Sequence, residues 1–343
     1  MLTDCDDIFM EQVILGFSGG VDSAVSALLL KKQGFSVAGV YLDIGSGEEA
    51  ESVKKAAAAM EVPLTVVPVR ELLEAQVCRP FTEAYLAGRT PNPCILCNPA
   101  VKFAVLLSQA DKAGARYIAT GHYARRENDR ILKGHPANDQ SYMLCRLKKE
   151  QAERLLLPLG PYPKAEVRAM AAEANLPAAH KKDSMEICFI PDKNYAAYLA
   201  SRAALPGPGP LIFHGEAIGE HEGLIRYTVG QRYPGLLDGR KVYVSALSAE
   251  SNTVTLSLWE ELFTTTVYAE APTFLFDTPE FPFRASVRVR HTKWEEPPCT
   301  VYSESGRLRI ECDTPVRAPA PGQSAVLYSG DVLLGGGFIT RSL

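Results

Sequence analysis

Hydrophobic and polar positions follow two different patterns along the chain, and the pattern changes near residue 204. Before that point, short apolar runs alternate with stretches in which apolar residues recur at helical spacing. The strand-like runs are QVILGF, SVAGVYL, LTVVPV and ARYIATGHY. The predicted helices are 22–33, 49–60, 70–86, 99–113 and 163–176, with helical structure continuing to about residue 200. This alternation predicts an α/β fold with a parallel sheet covered by helices on both faces.

The segment 204–223 is rich in Pro and Gly, and the residues after it alternate Thr, Val and Tyr between frequent turns. KVYVSAL, NTVTLSL, RASVRVRH, GRLRIEC and QSAVLYSGDVLLGGGFI show this strand pattern. The C-terminal part is therefore expected to be all-β, a small sandwich followed by a barrel. We predict three domains: an α/β domain over 1–203, a small central β domain over 204–265 and a C-terminal β-barrel over 266–343.

The composition is that of an ordinary globular protein. The chain has 343 residues, of which 46% are hydrophobic and 22% charged, and its formal charge of -4 gives no sign of nucleic-acid binding, although acidic proteins can carry local basic stripes. No apolar run approaches the roughly 20 residues that span a bilayer, and the N-terminus MLTDCDDIFMEQ is acidic, unlike a signal peptide. We expect a cytoplasmic protein without a membrane partner.

The run VILGFSGGVDSAVSALLL, residues 13–30, places Ser-Gly-Gly between a predicted strand and a predicted helix. Such a turn offers backbone N–H groups and the positive end of a helix dipole to an anion, and its glycines permit close approach. A phosphate group is the expected ligand. The lysine of GxxxxGK[ST] is missing and GxGxxG does not occur, which excludes a Walker loop and the dinucleotide motif. The alternative is a Gly-rich turn without a ligand.

The eight cysteines are spread through the chain, so each is expected to be buried, catalytic or metal-binding rather than part of a disulfide framework. Most are expected to be core residues. The pair in CILC resembles half of a zinc site or a redox CxxC motif. No second CxxC or CxxH pair with zinc spacing occurs, so no metal site is predicted.

SGGVDS resembles the signature of the PP-loop ATP pyrophosphatases, which cleave ATP to AMP and pyrophosphate while activating a carbonyl oxygen as its adenylate. Six further motifs, in this order, resemble those of the tRNA-specific 2-thiouridylases, which place sulfur on the wobble uridine of certain tRNAs. They are AGRTPNPCILCNPAVKF (87–103), YIATGHYAR (117–125), NDQSYML (138–144), KKDSMEICFI (181–190), YTVGQR (227–232) and PGQSAVLY (321–328). The resemblance covers nearly the whole chain.

The resemblance implies a PP-loop domain that binds ATP with its Mg²⁺ ion, the metal lying near Asp22. Adenine is expected to meet the backbone near Leu42 and Gly121. The implied ATP-binding residues are Gly16, Phe17, Ser18, Gly19, Gly20, Val21, Asp22, Ser23, Leu42 and Gly121.

Exchanging the uracil 2-oxygen for sulfur requires a good leaving group, which adenylation provides, and a sulfur nucleophile, which a cysteine persulfide provides. The resemblance implies that Cys188 carries the persulfide and that Cys97 is the nucleophile that later forms a transient disulfide with it. It also implies a sulfur donor such as a cysteine desulfurase or a sulfur-relay protein. The residues alone favour a plainer interpretation of Cys188, because a cysteine in an apolar ICFI run is usually a buried small hydrophobe.

The expected RNA partner is the tRNA anticodon stem-loop, from which the wobble base must be extruded. The implied tRNA-binding residues are Asn92, Pro93, Cys94, His122, Asn138, Asp139, Gln140, Arg288, Arg290 and Gln323. For the 138–140 loop the alternative is an ordinary solvated loop. For the two arginines it is an edge strand charged against aggregation.

Two positions depart from the family pattern. Cys94 stands where the family usually has an acidic residue, so Asp183 becomes a possible replacement acid, or else a loop cap, and Cys94 a second candidate resolving thiol. Asn138 replaces a lysine, which removes one phosphate contact.

Two other functions stay open from the residues. Another PP-loop adenylating enzyme, of ligase or amidotransferase type, would not need the paired cysteines. A non-catalytic ATP-binding RNA-binding protein would retain RNA without releasing pyrophosphate.

Overall fold

The structure is a computed structural model that describes residues 10–45, 47–179, 181, 187–190, 192, 194–291 and 296–340. The chain divides into two compact units. The first unit comprises Met1–Arg70, Pro99–Ser141 and Glu150–Asp183. The second comprises Glu71–Asn98, Tyr142–Lys149 and Ser184–Leu343.

Helices are concentrated in the first 200 residues, as the apolar spacing predicts. They are α1 Val21–Lys32, α2 Gly47–Ala59, α3 Arg70–Leu73, α4 Arg79–Leu86, α5 Pro93–Cys97, α6 Phe103–Ala113, α7 Lys149–Glu153, α8 Lys164–Glu173 and α9 Tyr195–Ala200. Wider π-helical turns at Glu74–Cys78 and Asn98–Lys102 join α3 to α4 and α5 to α6. Short 3₁₀ turns lie at Ser141–Leu144, Leu224–Arg226 and Trp259–Leu262.

The first unit is built on a parallel sheet, which confirms the predicted α/β class. Its strands are β1 Gln12–Gly16, β2 Ser36–Asp43, β3 Leu64–Pro68, β4 Tyr117–Ala119 and β7 Leu155–Leu156. They run in the order β3-β2-β1-β4-β7. An antiparallel hairpin of β5 Ala124–Glu127 and β6 Arg130–Lys133 follows β4, and the sequence analysis did not predict it.

Helix α1 is apolar around most of its circumference because it is buried on two sides. Ala27 and Leu30 pack in one core with strand residues such as Leu15. Val21, Ala24 and Val25 pack in a second core with residues of α8. A helix buried on both sides needs no polar stripe, which explains the sequence AVSALLL.

The central segment of the second unit forms one four-stranded sheet in the described residues, so the small sandwich expected from the sequence is wrong. The strands are β8 Gly209–Phe213, β9 Glu216–His221, β10 Tyr243–Ser248 and β11 Thr253–Ser257, in the order β10-β11-β8-β9. Their apolar core is completed by Leu224, Val229, Ala318 and Ala320 from turns and loops, which occupy the place of a second sheet.

The C-terminal residues form the predicted barrel. The strands are β12 Phe263–Phe274, β13 Phe283–Arg288, β14 Pro298–Glu304, β15 Arg307–Arg317, β16 Ser324–Ser329 and β17 Val332–Thr340. They pair in the order β12-β15-β14-β13-β16-β17, and a β12–β17 pairing closes the ring. The domain boundaries given above stay a prediction.

One helical stretch, Pro93–Ala113, is long and apolar enough to cross a membrane by length and composition alone. Its residues Ile95, Phe103 and Leu106 are fully buried within the protein. A buried core helix passes the same test of length and composition.

Candidate active site

The Ser18–Ser23 loop joins the end of β1 to the start of α1. Gly19 has φ +68°, a left-handed conformation, and a Cβ atom there would lie 3.2 Å from Val53 Cγ2. Gly20 is extended at the helix N-cap, where no side chain caps the helix. The first turn of α1 therefore leaves its backbone N–H groups available to an anion, as the sequence predicts.

The hydroxyl groups of this loop bond within the loop itself. The Ser18 and Ser23 hydroxyls lie 3.3 Å apart, and the Ser23 hydroxyl donates to the carbonyl oxygen of Gly20 at 3.0 Å. The strand order reverses between β1 and β4, which is where ligands bind in open α/β sheets. Gly121, just after β4, lies so close to the loop that an added Cβ atom would be 3.0 Å from Asp22 Cβ.

The structure thus brings together Gly121 and the loop, two parts of the implied ATP site. Gly16 ends β1, and Phe17 beyond it is buried and donates its N–H to the carbonyl oxygen of Val40 at 2.8 Å. Leu42 lies near the carboxyl end of β2, paired with Val67 of β3.

Asp22 carries two charge-assisted contacts that sequence reasoning missed. The Lys164 ammonium group lies 2.7 Å from Oδ1 and 2.8 Å from Oδ2, and the Tyr123 hydroxyl donates to Oδ1 at 2.6 Å. Lys164 is the first residue of α8, so its long side chain extends from that helix start to the loop. The position of Lys after Pro163 gave no signal beyond a helix N-terminus.

Lys181 supplies a second cation beside the loop. Its ammonium group donates to the carbonyl oxygen of Gly19 at 3.1 Å and lies 3.3 Å from the Ser52 hydroxyl. The loop lacks the Walker lysine, but Lys164 and Lys181 from other parts of the chain provide positive charge next to it. The neighbouring basic residues in KKDS were the only sequence signal for this second lysine.

His122 is half-buried beside the same strand end. Its Nδ1 lies 2.8 Å from the Thr120 hydroxyl, and its ring stacks on Phe103 with centroids 5.9 Å apart. Burial, with repulsion from Lys102, holds the pKa of His122 well below its ordinary value of 6.5. His122 is therefore neutral at pH 7, so its ring can offer a hydrogen bond but no charge to a ligand.

Residues 89–98, the thiol segment, carry two of the cysteines. Asn92 caps α5, because its side-chain oxygen accepts the N–H of Cys94 at 3.1 Å, and Pro93 takes the first helical position. In this helix Cys94 is exposed and Cys97 is half-buried. Asn98, next in the chain, is buried and donates from Nδ2 to the carbonyl oxygen of Met143 at 2.7 Å.

The seven cysteines in the described part of the chain fall into two classes. Four are buried: Cys78, Cys145, Cys299 and Cys312. Burial raises the pKa of all four, to about 12 for Cys145 and Cys299 and to about 11 for Cys312, so they are inert thiols at neutral pH. Cys94 and Cys188 are exposed, and Cys97 is half-buried. The accessible class contains both cysteines that the resemblance assigns to sulfur transfer.

Family models match three consecutive parts of the chain. They are described as a tRNA methyl transferase HUP domain over residues 11–192, a tRNA methyl transferase PRC-barrel domain over 201–258 and an aminomethyltransferase beta-barrel domain over 264–339.

Curated relatives match nearly the full length. A tRNA-specific 2-thiouridylase of Thermoanaerobacter sp. (strain X514) is 38% identical, over 97% of this chain and 98% of its own. That of Pelotomaculum thermopropionicum is 40% identical, over 96% of this chain and 97% of its own. The chain belongs to the tRNA-specific 2-thiouridylase family.

Solved structures with some likeness to this 2-thiouridylase family member are more distant. A 4-thiouridine synthetase–RNA complex with bound ATP is 17% identical, with a TM-score of 0.37, over 56% of this chain and 50% of that one. An NMN synthetase from Francisella tularensis is 16% identical, with a TM-score of 0.34, over 52% and 69%.

The residues expected to touch tRNA in the 138–140 loop bind the protein's own backbone. Asn138 accepts the N–H of Lys164 at 3.2 Å, and Asp139 accepts the N–H groups of Gly134 at 2.7 Å and Ser141 at 3.0 Å. Gln140 accepts the N–H of Tyr123 at 3.1 Å. In this 2-thiouridylase family member these contacts favour a loop-shaping role, and tRNA contact by the three stays a prediction.

Arg288, Arg290 and Gln323 also have internal partners. Arg288 pairs with Glu296, both side chains being largely buried, and Arg290 donates to the carbonyl oxygens of Val229 and Ala318, each at 2.8 Å. Gln323 donates to the carbonyl oxygen of Thr90 at 2.8 Å. Both guanidinium groups thus have partners inside the second unit. Contact of these residues with tRNA is untested.

Two further expectations concern a replacement acid and a metal site. Asp183, the possible replacement acid, is outside the described residues. Within the described residues, no three His, Cys, Asp or Glu side chains are grouped so that they could hold a metal ion.

Proposed function

We propose that this protein catalyses the ATP-dependent 2-thiolation of the wobble uridine of tRNA. The observation that carries the proposal is the match to tRNA-specific 2-thiouridylases over 96–97% of the chain. The open helix N-terminus after the Ser18–Ser23 loop and the accessible Cys97 and Cys188 support it. The proposed cycle has two steps. Adenylation uses the Ser18–Ser23 loop of the first unit, and sulfur transfer uses Cys97 and Cys188 of the second unit.

ATP is proposed to bind with its phosphates on the Ser18–Ser23 loop. The open N–H groups of α1 and the ammonium group of Lys181 suit a polyanion, and Lys164 neutralises the Asp22 carboxylate beside them. Asp22 is the carboxylate that would hold Mg²⁺ together with phosphate oxygens, since this ion prefers one or two carboxylates plus phosphates. The uracil 2-oxygen attacks the α-phosphorus, pyrophosphate leaves, and the oxygen becomes part of AMP.

Sulfur is proposed to arrive as a persulfide on Cys188, loaded by a cysteine desulfurase or a sulfur-relay protein. The terminal sulfur attacks C2 of the adenylated base, and the C–O bond to AMP breaks. The Cys97 thiolate then attacks Cys188 Sγ, which breaks the S–S bond, releases the 2-thiouridine and forms a Cys97–Cys188 disulfide. An external dithiol reduces this disulfide before the next cycle.

The proposed macromolecular substrate is the tRNA anticodon stem-loop, and the proposed compartment is the cytoplasm. Neutral His122 would serve the extruded base as a hydrogen-bonding and stacking group rather than as a cation.

The proposal is tested by mass spectrometry of wobble nucleosides after unmodified tRNA is incubated with the protein, ATP and a persulfide source. Wild type should give a sulfur-for-oxygen mass shift. Cys97→Ser and Cys188→Ser should each lose it, while Cys312→Ala, which removes a buried thiol, should retain it.

Two other results would overturn the proposal. Pyrophosphate release without a thiolated base would indicate another PP-loop adenylating enzyme. Retention of tRNA with neither signal would indicate an RNA-binding protein.

A further inference from the structure

The turn Ala320–Gln323, before β16, is built against the thiol segment. The Thr90 N–H donates to the carbonyl oxygen of Pro321 at 2.8 Å, and Gln323 Nε2 donates to the carbonyl oxygen of Thr90 at 2.8 Å. Thr90 is thus held through both of its backbone polar groups. A Cβ atom added to Gly322, whose φ is +91°, would lie 3.0 Å from Arg89 Cβ and from the Thr90 nitrogen. Only glycine lets the two backbones approach this closely.

A second set of contacts holds the other end of the segment. Asn98 Nδ2 donates to the carbonyl oxygen of Met143 at 2.7 Å, and Asn92 Nδ2 lies 3.4 Å from Met143 Sδ. Met143 therefore contacts residues on both sides of Cys97. Asn98 is only 1% exposed, so its bond to Met143 is sheltered from water.

The two sets of contacts are joined through Tyr142. Its hydroxyl donates to the carbonyl oxygen of Ser324 at 2.9 Å and lies 3.2 Å from the Ser324 nitrogen, and its side chain is fully buried. The residue before Met143 is therefore fixed to the residue after Gln323. Each contact belongs to the second unit, and together they surround a segment whose two thiols differ in exposure.

We propose that Asn98 and Gln323 are positioning residues that hold the thiol segment, and with it Cys97, between Met143 and the start of β16. The inference rests on the proposed role of Cys97 and assigns Gln323 a function other than the tRNA contact expected from the sequence. A thiol that must reach a defined sulfur atom needs such rigid support, because small displacements lower the rate of a positioned reaction steeply.

The first test compares alkylation of Cys97 and Cys94 by iodoacetamide in the full-length protein without tRNA. Both thiols lie in the tryptic peptide 90–102, so the exposed Cys94 is an internal standard for the half-buried Cys97. Gln323→Glu removes the donated hydrogen bond and places a carboxylate against the Thr90 carbonyl oxygen. We expect the Cys97-to-Cys94 rate ratio to rise about fivefold, the effect of losing one hydrogen bond.

Gln231→Glu is the matched control. It makes the same charge change, and its Oε1 accepts the Thr228 N–H, a bond that glutamate keeps. The ratio should stay at the wild-type value. Asn98→Asp is the second variant. It loses the hydrogen bond that Asn98 donates to Met143 and should also raise the Cys97-to-Cys94 ratio. The melting temperature is recorded for each protein.

The second test measures tRNA thiolation. A positioning role predicts that kcat falls about tenfold in Gln323→Glu while KM for tRNA stays within about twofold. An unchanged alkylation ratio in both variants overturns the inference. Weaker tRNA binding by Gln323→Glu with an unchanged ratio also overturns it and would make Gln323 an RNA contact. Failure of the proposed function would be distinguishable, because wild type would then give no thiolated base whatever the alkylation results.

Discussion

The Ser18–Ser23 loop and the thiol segment reach their shapes by different means. The serine hydroxyl groups of the loop and the start of α1 bond to atoms three to five residues away, as in Ser23 to Gly20, Ser26 to Asp22 and Ser18 to Ser23. The contacts that join the thiol segment to Met143 and Gln323 span 45, 51 and 233 residues. A short motif can therefore specify the loop, whereas the segment takes its geometry from distant parts of the chain.

The loop nevertheless also has contacts from outside, among them Lys164, Lys181 and the close approach at Gly121. The largest predicted effect breaks the approach at Gly121. A Cβ at Gly121 would lie 3.0 Å from Asp22 Cβ and 3.2 Å from its backbone carbon. Gly121→Val should raise the Kd for a non-hydrolysable ATP analogue about 100-fold, since overpacking costs 1–3 kcal/mol. Gly47→Val, where an added Cβ meets nothing within 4 Å, should leave the Kd near wild type in the same calorimetric titration. Equal Kd values for all three proteins would contradict the prediction.

The next effect concerns charge at the loop. Lys164 neutralises Asp22, so Lys164→Gln should raise the Kd for ATP in metal-free buffer about tenfold, because the bare carboxylate repels the triphosphate. In an Asp22→Asn background the same substitution should raise the Kd for ATP by less than about twofold. Lys54→Gln, which removes an exposed lysine paired with Glu51, is the control. A tenfold loss that persists in the Asp22→Asn background would mean that Lys164 acts on the phosphates directly.

The sequence predicted the loop because strand, turn and helix signals all fall within 20 neighbouring residues. It also predicted the parallel sheet and the barrel, whose periodicities differ. It did not predict that Lys164 and Lys181 contact the loop, because the sequence around a lysine gives no sign of which groups its flexible side chain contacts. The β5–β6 hairpin was missed for a related reason, since ARRE and RILK are polar strands without a clear alternation.

Polar side chains were the hardest to interpret. Asp139 and Gln140 look like solvent-facing or RNA-facing residues in the sequence, but their oxygens accept backbone N–H groups of Gly134, Ser141 and Tyr123. Backbone groups that need partners are invisible in a sequence until the fold leaves them unpaired. The same argument applies to Arg290, which satisfies two carbonyl oxygens.

A smaller effect sharpens the comparison at the thiol segment. Gly322→Ala should lower kcat for thiolation about fivefold and raise the Cys97-to-Cys94 alkylation ratio, because the new Cβ displaces Arg89 and Thr90. Gly306→Ala is the matched control, since its φ of +81° imposes similar strain while an added Cβ meets nothing within 4 Å. If both variants behave alike, backbone strain rather than contact with the segment explains the result.

The smallest effect is a pH dependence at His122, beside the loop. Its pKa is lowered in the folded protein, so below pH 6.5 the unfolded chain binds a proton that the folded protein does not. The free energy of unfolding should therefore be unaffected by this group above pH 6.5 and should decrease as the pH falls below that value. His122→Asn, which can keep a hydrogen bond to Thr120, should lose less stability between pH 7.5 and pH 5 in urea titrations than wild type does. Equal losses of stability in the two proteins would mean that protonation of His122 does not destabilise the folded protein. A contact of cationic His122 with an RNA phosphate would then replace the neutral role proposed for it.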